Sequence, residues 1–233
     1  MATKAKNAPN KAFGMSLDML MDSMEETRFK KKHQNLVERL SRKYHFSYIE
    51  IECLLIVYYK LQKDNVVPQP GVSKSQLRDV FHFAFDMTDD ALMDRIFWSL
   101  IKGTSSFVSM ETWITILSLF LRGSLDEKIN YCFSVYDFMG EGILGREAIF
   151  HLLKNSLVGV GGDEDTEESV KDMIEIITKK MDFDRDGKIS FSDYKQAVLK
   201  TPGLLECFGQ CLPNRYTVNA FLTSMTHYVK KEV

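Results

Sequence analysis

The chain has 233 residues, with 30 Lys and Arg against 32 Asp and Glu, and 45% of it is apolar. That length supports a sizeable helical core in one domain of two lobes, and the near-neutral balance, formally −2, argues against nucleic-acid binding. No run of roughly 18 apolar residues offers a membrane span, no apolar leader opens the chain, and Ala2 stands where N-myristoylation requires glycine.

Phe13, Leu17, Leu20, Met21 and Met24 recur at helical spacing and predict an amphipathic helix within a partly disordered extension over residues 1–35. A methionine-rich stripe of this kind packs on the protein's own core or docks an acidic or apolar partner. The basic stretch RFKKKHQNLVERLSRKYH follows at 28–45. Next, YIEIECLLIVYYKL (48–61) is long enough for a helix, PQPG (68–71) breaks it, and SKSQ (73–76) reads as a capping box opening another. Leu92, Ile96 and Phe97 then mark a helix before the loop IKGTSSFVSMET (101–112), and Trp113, Ile116, Leu117 and Phe120 mark one after it. Ile129, Phe133 and Tyr136 lead into a second loop, DFMGEGILGREA (137–148). VGVGGDEDTEES (158–169) reads as a flexible acidic linker.

The stretch MDFDRDGKISFSDY (181–194) puts oxygen-bearing side chains on every second position around one glycine. A hard divalent cation needs about six to eight oxygens, and a short loop supplies them only by curling tightly. Counted from Asp182, Asp184 stands at position 3, Asp186 at 5, the Lys188 carbonyl at 7, Ser190 at 9 and Asp193 at 12, with Gly187 at the sharp turn. Ile189 occupies position 8, where paired loops form a short β-bridge, and Met173, Ile176, Ile177, Tyr194, Val198 and Leu199 supply flanking apolar helix faces. This is the pattern of an EF-hand calcium loop; the alternative is an acidic polar turn. Asp193 is one methylene shorter than the usual bidentate glutamate, which predicts a dissociation constant of about 10⁻⁵ to 10⁻⁴ M and competition from Mg²⁺.

In the same frame the two upstream loops have lost their ligands. Loop 137–148 keeps Asp137, Glu141 and Gly142 but has Met139, Gly145 and Ala148 at positions 3, 9 and 12. Loop 101–112 keeps Val108 at position 8, with Ser105 and Ser109 as remnants, between Ile101 and Thr112. Because EF-hands pack in pairs, a fourth, vestigial hand is expected upstream, around 48–76. The predicted fold is therefore all-α: two EF-hand pairs with short β-bridges, at 36–123 and 124–213, an N-terminal extension and a tail helix over 214–233. Cys53, Cys132, Cys207 and Cys211 are read as reduced thiols rather than zinc or disulfide partners. No phosphate loop, nucleophile motif or catalytic carboxylate pair emerges, so catalysis is not expected.

MTDDALMDRIF (87–97), LSLFLRGSLDEKINYCFSVYD (117–137), FHLLKNSL (150–157), KKMDFDRDGKISFSDY (179–194) and FGQCLP (208–213) together resemble the calaxin family, ciliary relatives of the neuronal calcium sensors. The resemblance covers residues 36 to 213. It implies a cytoplasmic, cytoskeletal protein of the cilium or sperm flagellum, bound to outer-arm dynein or its docking complex, with tubulin as a further candidate surface. It also implies usable ligands in the first two complete loops. Ile101, Gly103 and Thr112, then Met139 and Ala148, depart from that, which marks a divergent member or paralogue. Two readings of different class follow: a calcium-responsive regulator of motility with one working site, or a structural adaptor that uses EF-hand helices as a fixed clamp. A regulatory subunit of a soluble enzyme is a third.

Overall fold

The computed structural model describes residues 21–64, 69–101, 106–157 and 163–229. Among them the backbone forms α1 (Ser23–Lys43), α2 (Tyr48–Lys63), β1 (Val72–Ser73), α3 (Lys74–Phe85), α4 (Asp90–Leu100), β2 (Phe107–Val108) and α5 (Met110–Arg122). The second half follows with α6 (Leu125–Tyr136), β3 (Ile143–Leu144), α7 (Arg146–Leu157), α8 (Asp163–Met181), β4 (Ile189–Ser190), α9 (Phe191–Lys200), a 3₁₀ turn (Pro202–Leu204) and α10 (Arg215–Val229). The all-α prediction with short bridges holds.

The bridges set the frame of all four hands. β1 pairs antiparallel with β2 through Val72 opposite Val108, and β3 pairs with β4 through Leu144 opposite Ile189. Val108, Leu144 and Ile189 are position 8 of their loops, so Val72 is position 8 of the upstream one, which runs over residues 65–76. Asn65, Val67, Gln69 and Gln76 then stand at positions 1, 3, 5 and 12, leaving no carboxylate there.

In three of the four loops, all but 137–148, positions 9 and 12 carry a second job, because they are the N-cap and third residue of the exiting helix. Ser73 accepts the Gln76 N–H at 3.2 Å while the Gln76 side chain accepts the Ser73 N–H at 3.0 Å, the capping box expected from SKSQ. Ser109 caps α5 through the Thr112 N–H at 3.1 Å. A helix start leaves backbone donors unpaired, and a cap is typically worth about 1 kcal/mol, so these residues have a structural use that needs no metal.

Aromatic side chains tie the hands together. Trp113 is fully buried and its indole N–H donates to the Leu54 carbonyl at 3.0 Å, while Tyr58 donates to the Val108 carbonyl at 2.7 Å. In the second half, the hydroxyls of Tyr131, Tyr136 and Tyr194 donate to the carbonyls of Cys211, Gly209 and Leu205, which pins the segment leading to α10. The four cysteines are free thiols.

Two expectations need correction. Residues 163–169 are not linker but the first turns of α8. Ile176 and Leu199 are 57% and 54% exposed, because 3.6-residue periodicity turns them past the edge of the buried stripe that Ile177 and Val198 occupy. Of the methionine-rich stripe, Met21 packs against the core and Met24 is 65% exposed, while Phe13, Leu17 and Leu20 lie outside the described residues. α1 continues unbroken through residues 35 and 36 and buries Phe29, Val37 and Leu40 against the rest of the protein. The tail helix α10 folds back onto α2, α3 and α5, where Phe221 meets Phe85 with ring centres 5.2 Å apart.

Candidate metal centre

The loop between α8 and α9 curls as its sequence demands. Gly187 has φ +81° and Arg185 φ +61°, so two residues adopt the left-handed conformation within three positions. The turn brings carboxylate oxygens of Asp182, Asp184 and Asp186 within 4.8 Å of one another. Three acidic groups converge only because backbone donors hold them. Asp182 accepts the N–H groups of Asp186 at 3.2 Å and Gly187 at 2.9 Å, and Asp186 accepts that of Lys188 at 2.7 Å.

Crowding loads the cluster with like charge. The Asp184 carboxyl accepts the Asp186 N–H, which draws its pKa down, but partial desolvation and the nearby Asp186 and Asp193 charges together leave it raised. A divalent ion would remove that repulsion. The chemistry is all hard oxygen, which suits Ca²⁺ or Mg²⁺ and not a thiolate-seeking metal.

Asp193 stands apart from the three-aspartate cluster. It is buried, its Oδ2 accepts the Ser190 hydroxyl at 2.6 Å and N–H at 3.1 Å, and its Oδ1 accepts the Phe183 N–H at 3.4 Å. Ser190 accepts the Asp193 N–H at 3.1 Å, completing a capping box on α9. Spacing alone names Asp193 and Ser190 as ligands; it does not show that both already cap a helix. To reach an ion at the loop centre, the short Asp193 side chain must share its oxygens with these donors. Asp193→Glu is therefore expected to tighten calcium binding about tenfold and to improve selectivity over Mg²⁺, as read by titration calorimetry; unchanged affinity would show that side-chain reach is not what limits the site.

Loop 137–148 has the same backbone curl with fewer carboxylates. Asp137 accepts the N–H groups of Glu141 at 3.0 Å and Gly142 at 2.7 Å, matching Asp182, and Gly140 and Gly142 have φ of +71° and +76°. Yet Met139, in the place of Asp184, is 77% exposed and offers no oxygen. Only the ligands differ.

The EF-hand domain pair model matches residues 126–199, which contain both of these loops. Calaxin of Xenopus laevis is 44% identical over 195 residues, covering 82% of this chain and 94% of the relative. Calaxin of Homo sapiens is 44% identical over 190 residues, 79% of this chain and 89% of the relative. The chain belongs to the calaxin family. Calaxin of Mus musculus agrees, at 46% identity over 190 residues, again 79% of this chain and 89% of the relative. Family membership and the paired hands make this calaxin-family chain a calcium-binding EF-hand protein. No helix among the described residues is long and apolar enough to cross a membrane.

Proposed function

We propose that this protein is a one-site calcium-binding component of the ciliary or flagellar axoneme, associated with outer dynein arms or their docking complex, where it contributes to the regulation of motility. Asp182, Asp184 and Asp186, the Lys188 carbonyl, Ser190 and Asp193 hold the ion, and Mg²⁺ competes for it. It acts by binding, not by catalysis. The observation that carries the metal site is the convergence of three carboxylates within 4.8 Å. The calaxin resemblance, which runs through helices as well as loops, supports the cellular setting.

A second reading is favoured by one observation. Three of the four loops lack carboxylates at most ligand positions while their bridge residues Val72, Val108 and Leu144 stay fully buried. A sensor's opening ordinarily draws on paired sites, so one occupied loop supplies little coupling free energy and the assembly acts chiefly as a fixed adaptor. A tagged copy in ciliated cells tests the setting. It should mark the axoneme and resist detergent extraction with calcium or with chelator. A diffuse, fully extractable pool would sink the axonemal reading, and release by chelator alone would sink the adaptor one.

A further inference from the structure

α1 differs from the rest of the molecule in charge. Its 21 residues carry seven Lys and Arg against three Glu, a net +4 in a chain of net −2. At 100° per residue, Arg28, Lys31, Lys32, Arg39 and Arg42 fall within an arc of about 100°, along about 21 Å of helix axis. No acidic residue lies inside that arc. The first-turn glutamates are engaged elsewhere: Glu25 binds Lys63 at 2.7 Å and Tyr59 at 2.8 Å, and Glu26 binds Lys30 at 3.1 Å. Of the five cations, Arg39 reaches Glu111 at 3.1 Å. Arg28, Lys31, Lys32 and Arg42 are exposed and have no ion-pair partner among the described residues.

We infer that this stripe is a docking surface for an acidic segment of a partner polypeptide. Four like charges held along one rigid helix repel one another, and an acidic ligand relieves that repulsion. A peptide in extended form rises about 3.3 Å per residue, so about six residues, acidic at alternate positions, span the stripe. A membrane is a poorer match. Interfacial helices insert an apolar face, and here Phe29, Val37 and Leu40 are already buried within the protein. The inference stands whether or not the protein is axonemal.

The test is fluorescence anisotropy of a labelled glutamate-rich peptide with the full chain at low ionic strength. Binding should be saturable, weaken steeply with salt, and weaken about tenfold or more in the fourfold variant R28E/K31E/K32E/R42E. A charge-matched control, K171E/K179E/K180E/R215E, reverses exposed cations elsewhere and should bind the peptide nearly as well as the parent. Equal losses in the two variants would reduce the effect to net charge and overturn the inference. So would capture of the chain by phosphatidylserine vesicles with no binding of the peptide. Should the fourfold variant lose helical circular dichroism, K31E/K32E gives the same comparison at smaller amplitude.

Discussion

Replacing Asp182 by alanine is expected to remove calcium binding while leaving the fold in place. The parent should take up one equivalent per chain, because only the loop at 182–193 presents carboxylates at positions 1, 3, 5 and 12. The substitution deletes one of three convergent carboxylates and also strips the Asp186 and Gly187 N–H groups of the acceptor that sets the curl. Losing a first-position ligand and the loop's organiser together should cost more than about 100-fold in affinity. The helices need not follow. Loop 137–148 holds the same curl with an incomplete ligand set, and the β3–β4 bridge ties the two loops together, so the helices do not depend on a full ligand set. Calorimetry with Ca²⁺ in the presence of Mg²⁺ should read one equivalent for the parent and none for D182A, at unchanged far-ultraviolet circular dichroism. A residual equivalent in D182A would mean that Asp137 and Glu141 bind an ion with help from backbone oxygens.

The calcium loop was legible because its chemistry is local. Ligand spacing, the turning glycine and the bridge residue all sit within twelve consecutive positions, and the same frame exposed the loss of ligands at 101–112 and 137–148. Other features were not local. The acidic run at 163–169 reads as linker by composition, yet acidic residues are also what a helix N-terminus favours, so the same letters serve both states and only the continuation into Val170 and Ile174 decides. The first hand's loop became countable only when Val72 was seen opposite Val108. The site of α10 depended on a contact between Phe221 and Phe85, far apart in sequence, which no periodicity encodes. The dual use of Ser190 and Asp193 as prospective ligands and helix cap shows why position 9 and 12 residues persist as Ser73 with Gln76 and Ser109 with Thr112 in loops that have lost their carboxylates.

If packing maintains the ligand-free hands, a core substitution there should cost more stability than any change in the calcium loop. Trp113 is the sharpest place to ask. It is fully buried on α5, stands edge-on to Tyr58 with ring centres 6.2 Å apart, and donates its N–H to the Leu54 carbonyl at 3.0 Å, so it joins the second hand to the first. Truncating a buried tryptophan to alanine removes its apolar transfer energy, leaves a cavity and loses that hydrogen bond, for about 3–5 kcal/mol in all. Set against a typical domain stability of about 5–15 kcal/mol, that is a large fraction of the total. The urea midpoint of W113A should fall accordingly, whereas W113F, which keeps most of the volume, should lose about 1–3 kcal/mol. Calcium affinity of the folded W113A protein should stay within about twofold of the parent, because the ion site belongs to the β3–β4 pair whereas Trp113 meets Leu54 and Tyr58 of α2. A midpoint that scarcely moves would mean that the first pair of hands unfolds separately and contributes little to the platform. A large fall in calcium affinity with the fold intact would instead mean that the ligand-free hands are coupled to the working one, and the adaptor reading would give way to a switch spread over both pairs.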